Sequence, residues 1–290
     1  MPFRRLVVAA ALLALGLFVV PSAFTAEIVF EEGIEYANPE NQHLKLNLAR
    51  PKEVADTARL PAVVCIHGGG FRAGDRAGWN ERCRKLAERG YVAVTVTYRL
   101  APQYQFPAAV NDVKAAVRWL RANADKYHVN PDRIGAVGDS AGGHLAQFLG
   151  VTGDVTQFDG DHNPGHSSRV ACVVNFYGPS DLTRSYGKSV DAAEVLPLFL
   201  GGDVEQQRRR HVLASPLYWV TPAAAPTLLI HGTEDKYVNY EQAQWIHERL
   251  KAAQVEVELL TLKGAGHGFK GEDAQRAEKA MFDFFDKHLK

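Results

Sequence analysis

Ile134-Gly135-Ala136-Val137-Gly138-Asp139-Ser140-Ala141-Gly142-Gly143-His144-Leu145 is the stretch whose reading decides the fold. The apolar run Ile134–Val137 reads as a buried strand. The segment Gly143–Leu149 reads as a helix, and Gly-Asp-Ser-Ala-Gly joins the two. A serine between glycines at a strand-to-helix turn sits on a tight bend that lifts its hydroxyl clear of the sheet. The flanking glycines let the chain turn sharply and let the helix approach closely. The helix N-terminus behind the serine favours negative charge developing in front of it. The five-residue pattern arises often by chance. The strand before it and the helix after it are what distinguish it from a plain turn.

Three further motifs lie where a chemistry built on Ser140 needs them. His67-Gly68-Gly69-Gly70-Phe71 closes the apolar strand Ala62–Ile66. Three consecutive glycines weaken a strand, but they leave backbone N–H groups free close to a ligand. The N–H groups of Gly69, Gly70 and Ala141 are therefore the candidate oxyanion donors. His67 reads as a brace for the loop rather than a proton carrier. His231-Gly232-Thr233-Glu234-Asp235 follows the strand at Thr227–Ile230, and Gly264-Ala265-Gly266-His267-Gly268 follows the strand at Val255–Leu260. Serine is a poor nucleophile unless a base takes its proton, and that base needs an orienting carboxylate. The order Ser140…Asp235…His267 supplies nucleophile, orienter and base. Asp235 is preferred to Glu234, which reads as a solvated loop charge.

Around these motifs, strands and helices alternate. Strands are expected at His43–Ala49, Ala62–His67, Tyr91–Tyr98, Arg133–Gly138, Val170–Tyr177, Thr227–His231 and Val255–Leu260. Most are continuous apolar runs, as strands covered on both faces are. Helices are expected over Asn80–Arg89, from Pro107 toward Asn130, over Glu241–Lys251 and over Ala277–Leu289. Such alternation predicts α/β crossover units, a mainly parallel sheet and one domain. Gly153–Arg169 reads as a polar loop. Pro179–Pro226 separates two strands by almost fifty residues, an insertion of the kind that carries its own helices and covers a site.

The chain has 290 residues, with 33 Lys and Arg against 33 Asp and Glu. Its apolar content suits a large core, and the absence of basic excess argues against a nucleic-acid partner. Arg4 and Arg5 precede an apolar run, Leu6–Val20, which Pro21 and Ser22 end. That is the layout of a secretory signal, and the run is short for a permanent membrane span. The expectation is a signal over residues 1–26, removed to leave an exported, periplasmic or extracellular domain over 27–290 that does not insert in a membrane. The histidines show no zinc spacing. Asp159–Gly165 departs from a calcium loop at Pro164 and Val170. Cys65 and Cys172 read as strand packing, and Cys83 as a helix residue without an obvious partner.

Taken together, these motifs resemble the α/β-hydrolase superfamily over nearly all of residues 27–290. Within it, His67–Phe71, Tyr98-Arg99-Leu100-Ala101-Pro102 with Phe106-Pro107-Ala108 and Asp112, and Gly138–Gly143 resemble esterases of the hormone-sensitive-lipase type. Ser168-Arg169-Val170, Phe176–Asp181, Ala214-Ser215-Pro216 and His231–Val238 resemble exported bacterial acetylxylan or feruloyl esterases. The resemblance implies an eight-stranded, mostly parallel sheet, no cofactor and hydrolysis of acyl esters. Esterases of the first type carry a helical N-terminal cap, whereas here only Glu27–Asn41 precedes the first expected strand. A reduced cap implies a more open site, formed mainly by the 179–226 insertion. It favours a short acyl group on a bulky alcohol such as a decorated sugar. The expected function is therefore a serine carboxylesterase acting on a small-molecule or carbohydrate ester. The alternatives are an amidase, peptidase or arylformamidase-like hydrolase on the same residues. A non-catalytic binder is disfavoured because all three triad residues are present.

Overall fold

The computed structural model describes residues 27–290. The expected export signal at 1–26 lies outside the described residues. In chain order the elements are β1 (Ile28–Ala37), β2 (Leu44–Pro51), β3 (Leu60–Ile66), α1 (Asn80–Glu88), β4 (Val92–Val96), α2 (Ala108–Ala122), β5 (Val129–Asp139) and α3 (Ala141–Val151). They continue with β6 (Cys172–Phe176), α4 (Val190–Glu194), α5 (Leu196–Leu200), α6 (Arg208–Leu213), β7 (Thr227–Gly232), α7 (Glu241–Ala252), β8 (Val257–Leu262) and α8 (Gly271–Leu289).

Among the described residues these strands form one eight-stranded sheet in the order β1-β2-β4-β3-β5-β6-β7-β8. Strand β2 runs antiparallel to both neighbours, and the run from β4 through β8 is parallel. Alternate residues of the central strands feed opposite cores, as a period of two requires. Val64, Ile66 and Ala136 face α2 and α3 with Val113, Val117 and Leu145. Val63, Cys65 and Val137 face α1 and α8 with Leu86, Met281 and Phe285. The apolar stripe expected on the last helix, Met281, Phe284, Phe285 and Leu289, is the face that α8 buries. No helix among the described residues is long and apolar enough to cross a membrane.

Three local expectations need correction. Strand β1 occupies the segment read as a short lead-in before His43. Its sequence, Ile-Val-Phe-Glu-Glu-Gly-Ile-Glu-Tyr-Ala, mixes acidic and apolar residues because it is an edge strand and mostly half-exposed. Pairing with β2, which no local pattern reports, makes it a strand. Helix α3 starts at Ala141, immediately after the serine, rather than at Gly143. Cys83 is not isolated: its buried thiol lies against that of Cys65, and both are free.

Candidate active site

Ser140 stands between β5 and α3 with φ 52° and ψ −119°. A serine at positive φ stores roughly 1–3 kcal/mol of strain and persists only where its surroundings hold it. The Ser140 N–H donates to the Phe176 carbonyl at 2.9 Å, and the Ser140 carbonyl accepts from the His144 N–H at 3.0 Å. Gly142 shows why the turn needs glycine. A Cβ there would lie 2.1 Å from the Ile66 carbonyl oxygen, so any side chain would push α3 off β3.

The structure brings Ser140, Asp235 and His267 together from the ends of three different strands. His267 Nε2 is 3.0 Å from Ser140 Oγ, and His267 Nδ1 is 2.8 Å from Asp235 Oδ2. The carboxylate selects the tautomer with its proton on Nδ1, leaving Nε2 as the acceptor facing the serine hydroxyl. Asp235 Oδ1 accepts the N–H groups of Tyr237 and Val238, each at 2.9 Å. Burial alone would raise the Asp235 carboxyl. Hydrogen bonds from His231 and His267, the His267 charge and the Val238 N–H outweigh it and hold the group down at about 2. His231 supports this from below, its Nε2 lying 2.9 Å from the Val238 carbonyl and 3.3 Å from Asp235 Oδ2. Glu234, the other acid in that motif, is exposed. The rings of Tyr177 and Tyr237 flank the His267 imidazole at 4.8 and 5.0 Å.

The three candidate donors lie on the loop after β3 and at the start of α3. Gly69 has φ 113°, and a Cβ there would lie 2.1 Å from the Ala73 carbonyl oxygen. Its own carbonyl is turned away to accept the N–H groups of Arg72 and Ala73. Among the described residues, no protein acceptor takes the N–H of Gly69, Gly70 or Ala141. Asp139, the residue before the serine, ties this loop to the turn. Its Oδ1 accepts the Gly68 N–H at 3.0 Å and the Trp79 indole N–H at 2.8 Å. The sequence reading gave Asp139 no role. His67 braces the same loop as expected, its ring stacked on Tyr98 with centroids 4.4 Å apart and its Nδ1 2.7 Å from the Gly68 carbonyl.

A narrow cleft with about 10 Å3 of free volume opens beside the serine, walled by Gly70, Phe71, Ala141, Pro179, Asp191, Val195, Tyr237 and Val238. Pro179, Asp191 and Val195 come from the 179–226 segment, which carries α4, α5 and α6. Val195 packs onto the glycine loop, with a side-chain carbon 3.0 Å from where a Gly70 Cβ would be. The segment is moored to the core by His144. Its Nε2–H donates to the Ala214 carbonyl at 2.7 Å, and burial pushes its pKa down to about 4. Asp191 and Val195 are the cavity residues that sequence reasoning missed, since they sit in a stretch without periodicity or motif.

Other motif residues act at a distance from the cavity. Arg99 and Asp112 form a buried bidentate pair at 2.8 and 3.0 Å, and Asp112 also accepts the Arg99 N–H. Asp159 is engaged by Lys114 at 2.9 Å and by Ser168 at 2.9 Å.

A serine on a strained turn at the end of a central parallel strand, in a sheet of this order, defines the α/β-hydrolase fold. Within that class the chain belongs to the BD-FAE family, whose model matches residues 46–250. The esterase LipC of Mycobacterium tuberculosis is 36% identical over 238 residues, which is 80% of this chain and 58% of LipC. The chain spans about half the length of the curated relatives it matches. A truncated carbohydrate esterase from gut microbiota superposes with a TM-score of 0.78 at 25% identity, covering 93% of this chain and 99% of that one. A thermophilic esterase from Thermogutta terrifontis, solved with propionate bound, superposes with a TM-score of 0.74 at 29% identity, covering 92% and 96%.

Proposed function

We propose that this protein is a serine carboxylesterase for short acyl groups, with Ser140, His267 and Asp235 as its triad. The observation that carries the reading is the continuous relay from Asp235 Oδ2 through His267 to Ser140 Oγ, at 2.8 and 3.0 Å. Ser140 Oγ attacks the ester carbonyl as His267 Nε2 takes its proton. Asp235, held ionised, keeps the imidazole tautomer and stabilises the imidazolium. The tetrahedral oxyanion is bound by the N–H groups of Gly69, Gly70 and Ala141, and losing one such donor raises the barrier by roughly 2.7–4 kcal/mol. His267 then protonates the leaving alcohol. Water, activated by the same imidazole, hydrolyses the acyl-enzyme.

The cavity supports the short-acyl part of the reading. At about 10 Å3 of free volume it is far smaller than the roughly 300–1,000 Å3 of drug-sized ligand sites. The similar Thermogutta terrifontis esterase has propionate bound, which is a short acyl group. The likeness to a carbohydrate esterase supports a sugar as the alcohol. In this reading the 179–226 segment is a small lid, residues 1–26 are an export signal, and the enzyme works outside the cytoplasm.

The test is a panel of p-nitrophenyl esters from acetate to dodecanoate, with acetylated xylan, methyl ferulate and one acetamide, run beside labelling by a fluorophosphonate. The expected result is labelling at Ser140 and turnover that falls with acyl length. Absence of both labelling and ester turnover overturns the reading. Faster cleavage of the amide than of the matched ester replaces it with an amidase. Fractionation of the native host tests the location, and retention in the cytoplasm refutes export.

A further inference from the structure

Asp191 is a carboxyl that neither the relay nor the fold accounts for. It lies in the wall of the cavity beside Ser140 and is only 4% exposed. Its Oδ1 has no hydrogen-bond partner among the described residues. Leaving such an acceptor buried and unpaired is destabilising, and an apolar residue would avoid the cost. Its backbone is fixed against the loop that bears Asp235. The N–H groups of Val190 and Asp191 donate to the carbonyls of Lys236 and Tyr237, each at 3.1 Å. The carboxyl is thus set rigidly at the site, close enough to feel the charges of both His267 and Asp235.

Among the described residues, no cation pairs with it. Burial raises its pKa to about 7, with Asp235 adding to the rise, and the Ala192 N–H, His267 and Ser189 only partly offset this. Two carboxyls therefore lie within electrostatic range of one imidazole, with affinities for protons pushed far apart. Near neutrality Asp191 holds a proton for much of the time, and a neutral carboxyl both donates and accepts. A hydroxyl has the same double character. An ammonium partner is disfavoured, because it would share the cavity with the imidazolium that forms on His267 during turnover.

We propose that Asp191 is a specificity-determining residue that binds a free hydroxyl of the substrate, so that the substrates are acyl esters of polyols. This rests on the esterase reading above and deepens it. A site that bonds a substrate hydroxyl rejects the analogue lacking it far more strongly than an apolar pocket could, because its own polar group is left unpaired.

The test compares trans-1,2-cyclohexanediol monoacetate with cyclohexyl acetate, which differ by one hydroxyl. In the wild type, kcat/KM favours the diol ester by about ten-fold or more. Asp191→Val and Asp191→Ala bring the ratio near one, and Asp191→Asn, which still donates and accepts, keeps most of it. Melting curves identify any variant that fails to fold. A measurement on the wild type alone stands behind the variants: the free diol inhibits competitively and more strongly than cyclohexanol. A wild-type ratio near one, a ratio unchanged in the folded Val or Ala variant, or equal inhibition by diol and cyclohexanol overturns the assignment and leaves the esterase reading standing. Failure to hydrolyse either ester overturns the assignment, and the esterase reading falls with it only if the p-nitrophenyl esters are not cleaved and Ser140 is not labelled.

Discussion

Ser140 is placed by its own turn, Asp235 by two backbone N–H groups, and His267 by the carboxylate it meets. Each role carries its own expected outcome. Ser140→Ala lowers ester turnover by on the order of 10^6-fold and abolishes fluorophosphonate labelling. Its melting temperature stays close to that of the wild type, because the hydroxyl packs nothing. Asp235→Asn lowers kcat by roughly 10^4-fold, since an amide does not impose the productive tautomer. Turnover of either variant near the wild-type value refutes its role. Asp191 predicts a dependence of stability on pH. Its carboxyl titrates at about 7 in the folded chain and near 3.9 when unfolded. Between those values the native state binds more protons, so Asp191 contributes stability at the acid end and loses it as pH rises through 7. Asp235, with its folded value depressed, acts only below about pH 4. Of the other groups near Asp191, Tyr186 and Tyr237 are raised and titrate above this window, and His267 is common to both proteins. The melting temperature of Asp191→Asn relative to wild type should therefore rise from pH 5 to pH 8. A constant difference would show that the carboxyl is ionised throughout. Three of these residues were legible in the sequence because each follows an apolar strand within a short glycine-bearing motif. Asp191 was not, because burial and a missing partner are properties of the folded chain.

At the scale of elements, the site depends on how the 179–226 segment meets the loop after β3. Val195, in the turn between α4 and α5, fills the space beside Gly70. Val195→Ala should enlarge the cavity and raise hexanoate relative to acetate turnover several-fold. An unchanged ratio would mean that Val195 does not bound the acyl group. The buried Arg99–Asp112 pair makes a different prediction. Asp112→Ala leaves a guanidinium that is 7% exposed with Glu40 as its remaining carboxylate and should cost about 1–3 kcal/mol, read as a lowered denaturant midpoint. The sequence signalled this pair only as part of a recurring motif. Its partners became visible once α2 was laid beside the end of β4. The long insertion was legible by its length. That it carries helices was expected too, but where its three short helices fall, and the mooring of Ala214 by His144, were not legible, since segments of five or six residues carry no usable period.

At the scale of the molecule, the described domain begins at its first strand. A chain starting at Glu27 should melt in a single transition. One starting at Asn38 lacks β1, bares the edge of β2 and should aggregate. Equal solubility of the two would show that β1 is dispensable. The alternation of buried strands with amphipathic helices determined an α/β layered sheet from the sequence alone, because strand and helix periods are local and burial on both faces leaves continuous apolar runs. The chain order of serine, aspartate and histidine, and the glycines beside them, likewise needed nothing beyond the sequence. Only the tertiary structure decided the strand order, the pairing of β1 with β2, the part Asp139 plays in holding the glycine loop, and the presence of Asp191 at the cavity. These are relations between residues far apart in the chain. Local pattern is silent on them because the energy that selects them, burial and hydrogen bonding between distant segments, exists only once the chain has closed on itself.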